Sequence, residues 1–296
     1  RERLGEGRYS KVRSAVRRTD GAGVAVKIVD LGKLSENFWR RWGRRELEVM
    51  GAVSHGGLLR LLDWWGVGRK VFMVLELGRG GDLLRLVQRE GALSQPAVRS
   101  SASQLGGALA YLHRRRFAHR DLKLENILVM EPVEKQLPVL KIGDFTFARS
   151  VPEGQDTCTT YCGSKAYSCP ELLAAQPYCP FRADVWALGV VLYIAALGRM
   201  PFNERVEGGR AAVLELLRTG PYRRLLRDSR LPGQLQDLIS QALTMDQAVR
   251  PSAAALLRQP FLAGPADVPQ PQPLLPNALE PNLLPPPIPS ATNNYD

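Results

Sequence analysis

His119-Arg120-Asp121-Leu122-Lys123-Leu124-Glu125-Asn126 is the stretch on which the reading of this 296-residue chain turns. It places a carboxylate, an ammonium and a carboxamide within one octet. Phosphoryl transfer asks for this set: a carboxylate to orient a substrate hydroxyl and accept its proton, an amide to ligate a metal, and a cation to offset charge on the moving phosphoryl group. Asp121, Asn126 and Lys123 fit those roles in that order.

The flanking segments fit the same chemistry. Downstream, Asp144-Phe145-Thr146 follows a short apolar strand, Leu140-Lys141-Ile142, and an aspartate there bridges Mg²⁺ to phosphates. Ser168-Cys169-Pro170-Glu171 closes the segment, with Glu171 expected to pair structurally with Arg250. Asp184, at the start of an apolar helix, is expected to tie down the catalytic loop by hydrogen bonds. Upstream, Leu4-Gly5-Glu6-Gly7 opens a turn whose glycines let the backbone close over phosphates, and a plain hairpin turn is an equal reading of those residues alone. What favours phosphate is Lys27, fifteen residues after Val12 in the strand Val24-Ala25-Val26-Lys27. There it reaches the α- and β-phosphates, and Glu46 on the following helix is its natural partner.

Residues 1–77 alternate short β-type runs with turns, broken by one helical stretch, Phe38 to Met50. Helical periodicity then dominates residues 78–263, over Asp82–Arg89, Pro96–His113, Ala183–Leu197, Ala211–Arg218 and Gln234–Thr244. The predicted fold class is therefore α+β: a small β-rich N-lobe for nucleotide and a larger helical C-lobe for catalysis and substrate. Residues 264–296 hold ten of the 22 prolines, including Pro285-Pro286-Pro287-Ile288-Pro289, and read as a disordered or polyproline II tail.

Hydrophobic residues make up 45% and charged residues 23% of the chain, enough for a sizeable core. The most apolar run, around Val185–Leu197, is shorter than the roughly 18–20 residues of a membrane helix, so a buried helix and no membrane association are expected. The chain opens on Arg1 with no signal-like segment and reads as a fragment or a chain lacking its first residues. Cys158, Cys162, Cys169 and Cys179 form no Cys-x-x-Cys pair, and reduced thiols in an intracellular protein are expected, in the cytoplasm with the nucleus as a second compartment. The net charge of +11 is carried by scattered arginines, without the aromatic interleaving of a nucleic-acid groove.

Taken together, these motifs resemble the eukaryotic protein kinases over about residues 1–263, with the two-lobed fold that this implies. Lys123 in the octet, with Gly163-Ser164 ahead of Pro170-Glu171, resembles the serine/threonine branch. The calcium/calmodulin-dependent-like group fits best. Within it Arg45-Glu46-Leu47-Glu48-Val49-Met50, Gly81-Asp82-Leu83-Leu84 and Thr160-Tyr161-Cys162-Gly163-Ser164 resemble the testis-specific serine/threonine kinases, which implies expression in developing sperm cells. The resemblance implies Mg-ATP as cofactor and protein substrates as partners. It implies that Val12, Ala25 and Leu128 sandwich adenine, with Leu75 as gatekeeper. Backbone groups of Glu76 and Leu77 would meet the adenine edge, and Asp82 the ribose. Thr160 would be the activating phosphosite, pairing with Arg120. Ser164 would sit beside the substrate, and Glu125 would select arginine before the target residue.

Several residues depart from the family pattern. Ser10 stands for the third glycine of the first turn, Thr146 for the glycine after Asp-Phe, and Cys169 for an alanine. Pro132 and Pro138 mark an insertion between Asn126 and Asp144. No Lys or Arg follows Arg258, which argues against a calmodulin-binding helix. An active kinase is the leading reading because Lys27, Glu46, Asp121, Asn126 and Asp144 are all present. A pseudokinase scaffold is the alternative. A proline-tail adaptor is a further one, compatible with either.

Overall fold

The computed structural model describes residues 2–7, 10–33, 44–133, 137–202 and 208–263. It divides into two compact units. The first comprises the described residues up to Ser54 together with Arg60–Leu77. The second takes His55–Leu59 and the described chain from Gly78 onward.

The first unit is built on a five-stranded antiparallel sheet in the order β1-β2-β3-β5-β4, with β1 at Arg3–Glu6, β2 at Ser10–Val16, β3 at Gly23–Asp30, β4 at Leu61–Val67 and β5 at Lys70–Glu76. β3 is the central strand, rich in valine and isoleucine as a strand paired on both sides should be. Its register sets Lys27 opposite Val12 on one side and Met73 on the other. Side chains alternate between sheet faces, so Ala25, Lys27 and Val29 share a face. Helix α1, Arg44–Ala52, brings Glu46 into its first turn, where a carboxylate complements the helix dipole. The anticipated helical stretch began at Phe38, and residues 34–43 lie outside the described part.

The second unit is helical apart from two short β-pairs, β6 (Phe117–Ala118) with β9 (Arg149–Ser150) and β7 (Ile127–Val129) with β8 (Leu140–Ile142). α2 spans Leu83–Glu90 and α3 spans Gln95–Arg114. Each begins where the sequence offers a capping oxygen: Asp82 accepts from Arg85 N at 2.8 Å and Ser94 from Ala97 N at 3.4 Å. α4 (Pro170–Leu173) and α5 (Pro180–Leu197) follow. α5 is buried along nearly its whole length, which is why it shows no amphipathic stripe. It extends the anticipated apolar run back to Pro180. Among the described residues it is the one helix long and apolar enough to cross a membrane, but most of it is core. α6 (Gly209–Thr219), α7 (Pro221–Arg227), α8 (Gly233–Ala242) and α9 (Ala253–Leu256) complete the unit.

One boundary differs from the sequence expectation of a clean division after residue 77. His55–Leu59 leaves the first unit because its backbone pairs with β8: Leu59 N donates to Ile142 O at 2.8 Å and Ile142 N to Gly57 O at 2.9 Å. Those bonds satisfy backbone groups that burial would otherwise strand. The proline-rich tail, residues 264–296, lies outside the described residues.

Candidate active site

The first unit holds the nucleotide-side residues. Lys27 Nζ donates to both carboxylate oxygens of Glu46, at 2.6 and 2.9 Å, and the two side chains are 12% and 5% exposed. A pair this buried survives only with its partner in place, so the strand and α1 fix the ammonium jointly. Ahead of it, Leu4 and Gly5 lie in β1, and Gly7, just after that strand, donates its N–H to Ser10 O at 2.8 Å. Val12 and Ala25 lie on adjacent strands, and Leu75 is buried opposite Ala25. Glu76 N–H donates to Arg60 O at 3.2 Å, and its carboxylate accepts from Arg60 N at 3.1 Å.

The catalytic set lies in the second unit and is anchored from below. Asp184, fully buried on α5, accepts from His119 N at 2.9 Å, from Arg120 N at 2.7 Å and from the His113 ring at 2.9 Å. Burial alone would raise its pKa. The hydrogen bond and charge of His113 and the Arg120 N–H outweigh burial and hold the carboxyl below its ordinary value. His119 is fixed in turn: Asp121 N donates to its Nδ1 at 3.3 Å, which assigns the ring proton to Nε2, 3.0 Å from Gly143 O. Phe145, fully buried, meets the same ring edge-on at 5.2 Å. Arg120 and Asp144 both adopt positive φ, 64° and 55°, a strained choice for residues with a Cβ.

Around Asp121 the side chains converge. Its Oδ1 accepts from Ser164 N and Ser164 Oγ, each at 3.0 Å. Its Oδ2 lies 3.2 Å from Lys123 Nζ and accepts from Asn126 Nδ2 at 3.1 Å. Lys123 Nζ also donates to Ser164 Oγ at 3.0 Å, so catalytic loop and following segment are joined through side chains. Gly163 permits that approach. At φ 85°, an added Cβ would lie 2.5 Å from Arg120 O.

The donor set fits Mg²⁺. Asn126 spends its amide hydrogens on Asp121 O and Asp121 Oδ2, which presents the amide oxygen as the group left for a cation. Asp144 supplies a carboxylate, and Thr146 Oγ1 donates to its Oδ1 at 2.6 Å. Among the described residues no group of three or more His, Cys, Asp or Glu side chains gathers to hold a metal unaided. An ion shared between Asn126, Asp144 and a nucleotide's phosphates suits so sparse a set. Thr146 thus supports the aspartate through a hydrogen bond as well as through β-branching. Thr146→Gly is expected to change turnover by less than about tenfold, whereas a hundredfold rise would mark the native threonine as inhibitory.

The remaining predicted residues are placed as follows. Glu125 is exposed, with Tyr167 Oη 3.5 Å away. Asp82 is the N-cap of α2, so its carboxylate already serves the helix. Leu128 lies on β7, paired with Lys141. Thr160 is half-buried and its carbonyl accepts from Tyr178 Oη at 3.0 Å, while Arg120 Nε donates to Phe147 O at 2.9 Å. Glu171 meets Arg250 at 2.9 Å as anticipated. Cys169 is buried and its thiol pKa is pushed up by burial, so it acts as a small apolar group. Sequence reading missed His113, 71 residues from its partner Asp184. It also missed Arg149, whose Nη1 lies 3.4 Å from Cys158 Sγ beside Thr160.

Residues 1–262 match the family model for the protein kinase domain. The chain belongs to the protein kinase family. Its sheet-bearing first unit and helical second unit are the two lobes of that fold, and the relatives it matches include the testis-specific serine/threonine kinases. This kinase is 38% identical to human testis-specific serine/threonine-protein kinase 4 over 216 residues, 68% of this chain and 64% of the relative. It is 31% identical to the mouse testis-specific serine/threonine-protein kinase 3 over 271 residues, 88% of this chain and 94% of the relative. CBL-interacting protein kinase 11 of Oryza sativa subsp. japonica is 32% identical over 274 residues, 90% of this chain and 51% of the relative. The kinase chain spans 64% of human kinase 4 and 66% of mouse kinase 1, a little under two thirds of each.

Proposed function

We propose that this kinase transfers the γ-phosphoryl group of ATP, with Mg²⁺, to serine or threonine hydroxyls of proteins. The observation that carries the reading is the convergence of Lys123, Asn126 and Ser164 on one buried carboxylate, Asp121. In the transfer a substrate oxygen bonds to the γ-phosphorus, the bond to the β–γ bridging oxygen breaks, and ADP leaves. Asp121 orients the hydroxyl and takes its proton, Lys123 offsets charge on the transferring group, and Lys27 positions the α- and β-phosphates. Mg²⁺ held by Asn126 and Asp144 would supply charge neutralisation. The complete set Lys27, Glu46, Asp121, Asn126 and Asp144 favours transfer over the pseudokinase alternative. Label transfer from γ-labelled ATP to a basic serine peptide tests this, with Asp121→Asn as the control. Incorporation no greater than the control's overturns it.

Two finer readings belong with this one. Substrates carry arginine a few residues before the target, because Glu125 is an exposed carboxylate one residue before Asn126 and suits a guanidinium fork. Glu125→Arg should remove the arginine preference in a peptide-library screen, and an acidic or proline-directed preference in the native chain would refute the assignment. Thr160 is the activating phosphosite. A phosphate adds about 1.5–2 negative charges there, with Arg120 and Arg149 as candidate counter-cations. Fully active Thr160→Ala, together with mass spectra of active protein lacking phosphate at Thr160, would remove the proposal.

By analogy with the testis-specific relatives, the kinase acts in developing sperm cells, in the cytoplasm and the nucleus. Its Pro285–Pro289 run recruits a partner with an aromatic groove, which a pull-down with residues 265–296 would test. Calmodulin and nucleic acid are not expected partners.

A further inference from the structure

One stretch of this kinase carries a local excess of positive charge. Between Gly208 and Leu231 stand six arginines, Arg210, Arg218, Arg223, Arg224, Arg227 and Arg230, against two carboxylates, Glu215 and Asp228. α6 and α7 bury Val213, Leu217, Tyr222 and Leu226 and leave their five arginines exposed, as is Arg230 just beyond α7. Their surroundings sort them. Arg210 lies over the Tyr161 ring at 4.9 Å. Arg224 is engaged by Asp228, 3.4 Å away and one helical turn on. Arg223 and Arg227, four residues apart in α7, project from one side of the helix, and both line a cavity of about 330 Å³. Among the described residues no carboxylate pairs with Arg218, Arg223 or Arg227, while Asp228 is already taken. The hydroxyl-bearing residues Thr219 and Ser240 line the cavity, Leu226 and Leu243 give it an apolar part, and Tyr222 is buried at its wall.

We propose that this groove docks an acidic segment of a protein substrate, away from the residues that carry out transfer. The inference rests on the kinase reading only for the word substrate; the groove's chemistry stands without it. Exposed guanidiniums lacking a carboxylate partner, beside hydroxyls and leucines, match a short run of Asp or Glu interrupted by an apolar side chain. Among the described residues the one aromatic ring lining the groove, Tyr222, is buried and covered, with Arg223 Cζ 5.2 Å from its centroid, so these residues offer no platform to stack a nucleic-acid base. The site complements Glu125. A substrate would present arginine next to its target residue and a separate acidic run to the groove, none of whose lining residues belongs to the transfer set.

The test uses the full chain and a fluorescein-labelled peptide of alternating Glu-Glu-Leu pattern, with binding read by anisotropy in the absence of nucleotide. Arg223→Glu/Arg227→Glu is compared with Arg18→Glu/Arg258→Glu, which changes net charge equally at exposed positions elsewhere. Native chain and control should bind the peptide, more weakly as salt rises, and the groove variant should lose about tenfold or more in affinity. Fusing the acidic sequence through a flexible linker to a basic serine peptide should lower KM in the native chain and not in the groove variant, with kcat on the unfused peptide the same in both. Loss of equal size in the control, no binding by the native chain, or equally tight binding of an oligonucleotide of matched charge would each overturn the proposal. Because the anisotropy arm needs no ATP, a chain that binds the peptide without phosphorylating it would refute transfer while leaving docking intact. The reverse result would do the opposite.

Discussion

Asp121→Asn is expected to lower phosphoryl transfer by about 10²–10⁴-fold, the usual scale for a positioned acid or base, while leaving ATP affinity within a few fold. The amide keeps the size of the carboxylate but cannot accept the substrate proton. The structure adds a second cost. Asp121 now accepts from Ser164 through Oδ1 and faces Lys123 Nζ and Asn126 Nδ2 through Oδ2. An asparagine offers one acceptor for these donors and turns a fifth polar group, its own NH₂, toward one pair of them. The loop joining Asp121 to Ser164 should therefore loosen as well as lose its proton acceptor. ATP binding depends on the separate Lys27–Glu46 pair and should be spared. The check is single-turnover transfer alongside calorimetric ATP binding. Native turnover in the variant would mean that another group takes the proton.

Much of this site was legible because its residues are close in sequence or sit at fixed points in motifs. The octet gave Asp121, Lys123 and Asn126, and the structure brings them within hydrogen-bond reach of one another. Lys27 was legible from a lysine in an apolar strand, and Glu46 from the helix that follows. The long-range pair Glu171–Arg250 and the tie between Asp184 and the catalytic loop were found only because each member stood in its own recognisable segment. His113 had no such segment. It ends α3 and meets Asp184 through folding alone, so no local pattern predicts the contact. The short helices α4, α7 and α9 were missed for a physical reason: four to seven residues are too few to show a hydrophobic period. His55–Leu59 was assigned to the wrong unit because strand-like composition cannot reveal which sheet a backbone will pair with.

Thr146 shows how a departure from pattern can be absorbed. A β-branched residue narrows the backbone's choices, and here its hydroxyl also reaches Asp144 Oδ1. Asp144 adopts a left-handed conformation, and two neighbours help to hold that arrangement: the hydrogen bond from Thr146 and the buried ring of Phe145 beside His119. Strained residues persist where surrounding contacts over-determine them.

Arg250→Met is expected to cost about 3–5 kcal/mol of stability, the range for removing one partner of a buried ion pair. Arg250 is fully buried at the side chain and Glu171 is 9% exposed. The guanidinium donates to Glu171 Oε1 at 2.9 Å, Met245 O at 3.1 Å, Arg182 O at 3.1 Å and Thr244 O at 2.8 Å. It also lies 5.1 Å from the centroid of the Trp186 ring, at the middle of α5. One side chain thus satisfies three backbone carbonyls and the buried Glu171 carboxylate. Methionine fills much of the volume but leaves Glu171 ionised, buried and unpaired, and strands the carbonyls. Glu171→Gln removes the charge alone and should cost less. In the double variant the uncompensated charge is gone while the stranded carbonyls remain, so its loss should be smaller than the sum of the two single losses. Guanidinium unfolding at neutral pH, read by tryptophan fluorescence, measures the cycle. A loss below about 1 kcal/mol in Arg250→Met, or strict additivity in the double variant, would show that the pair is a wet surface contact instead of a buried clamp.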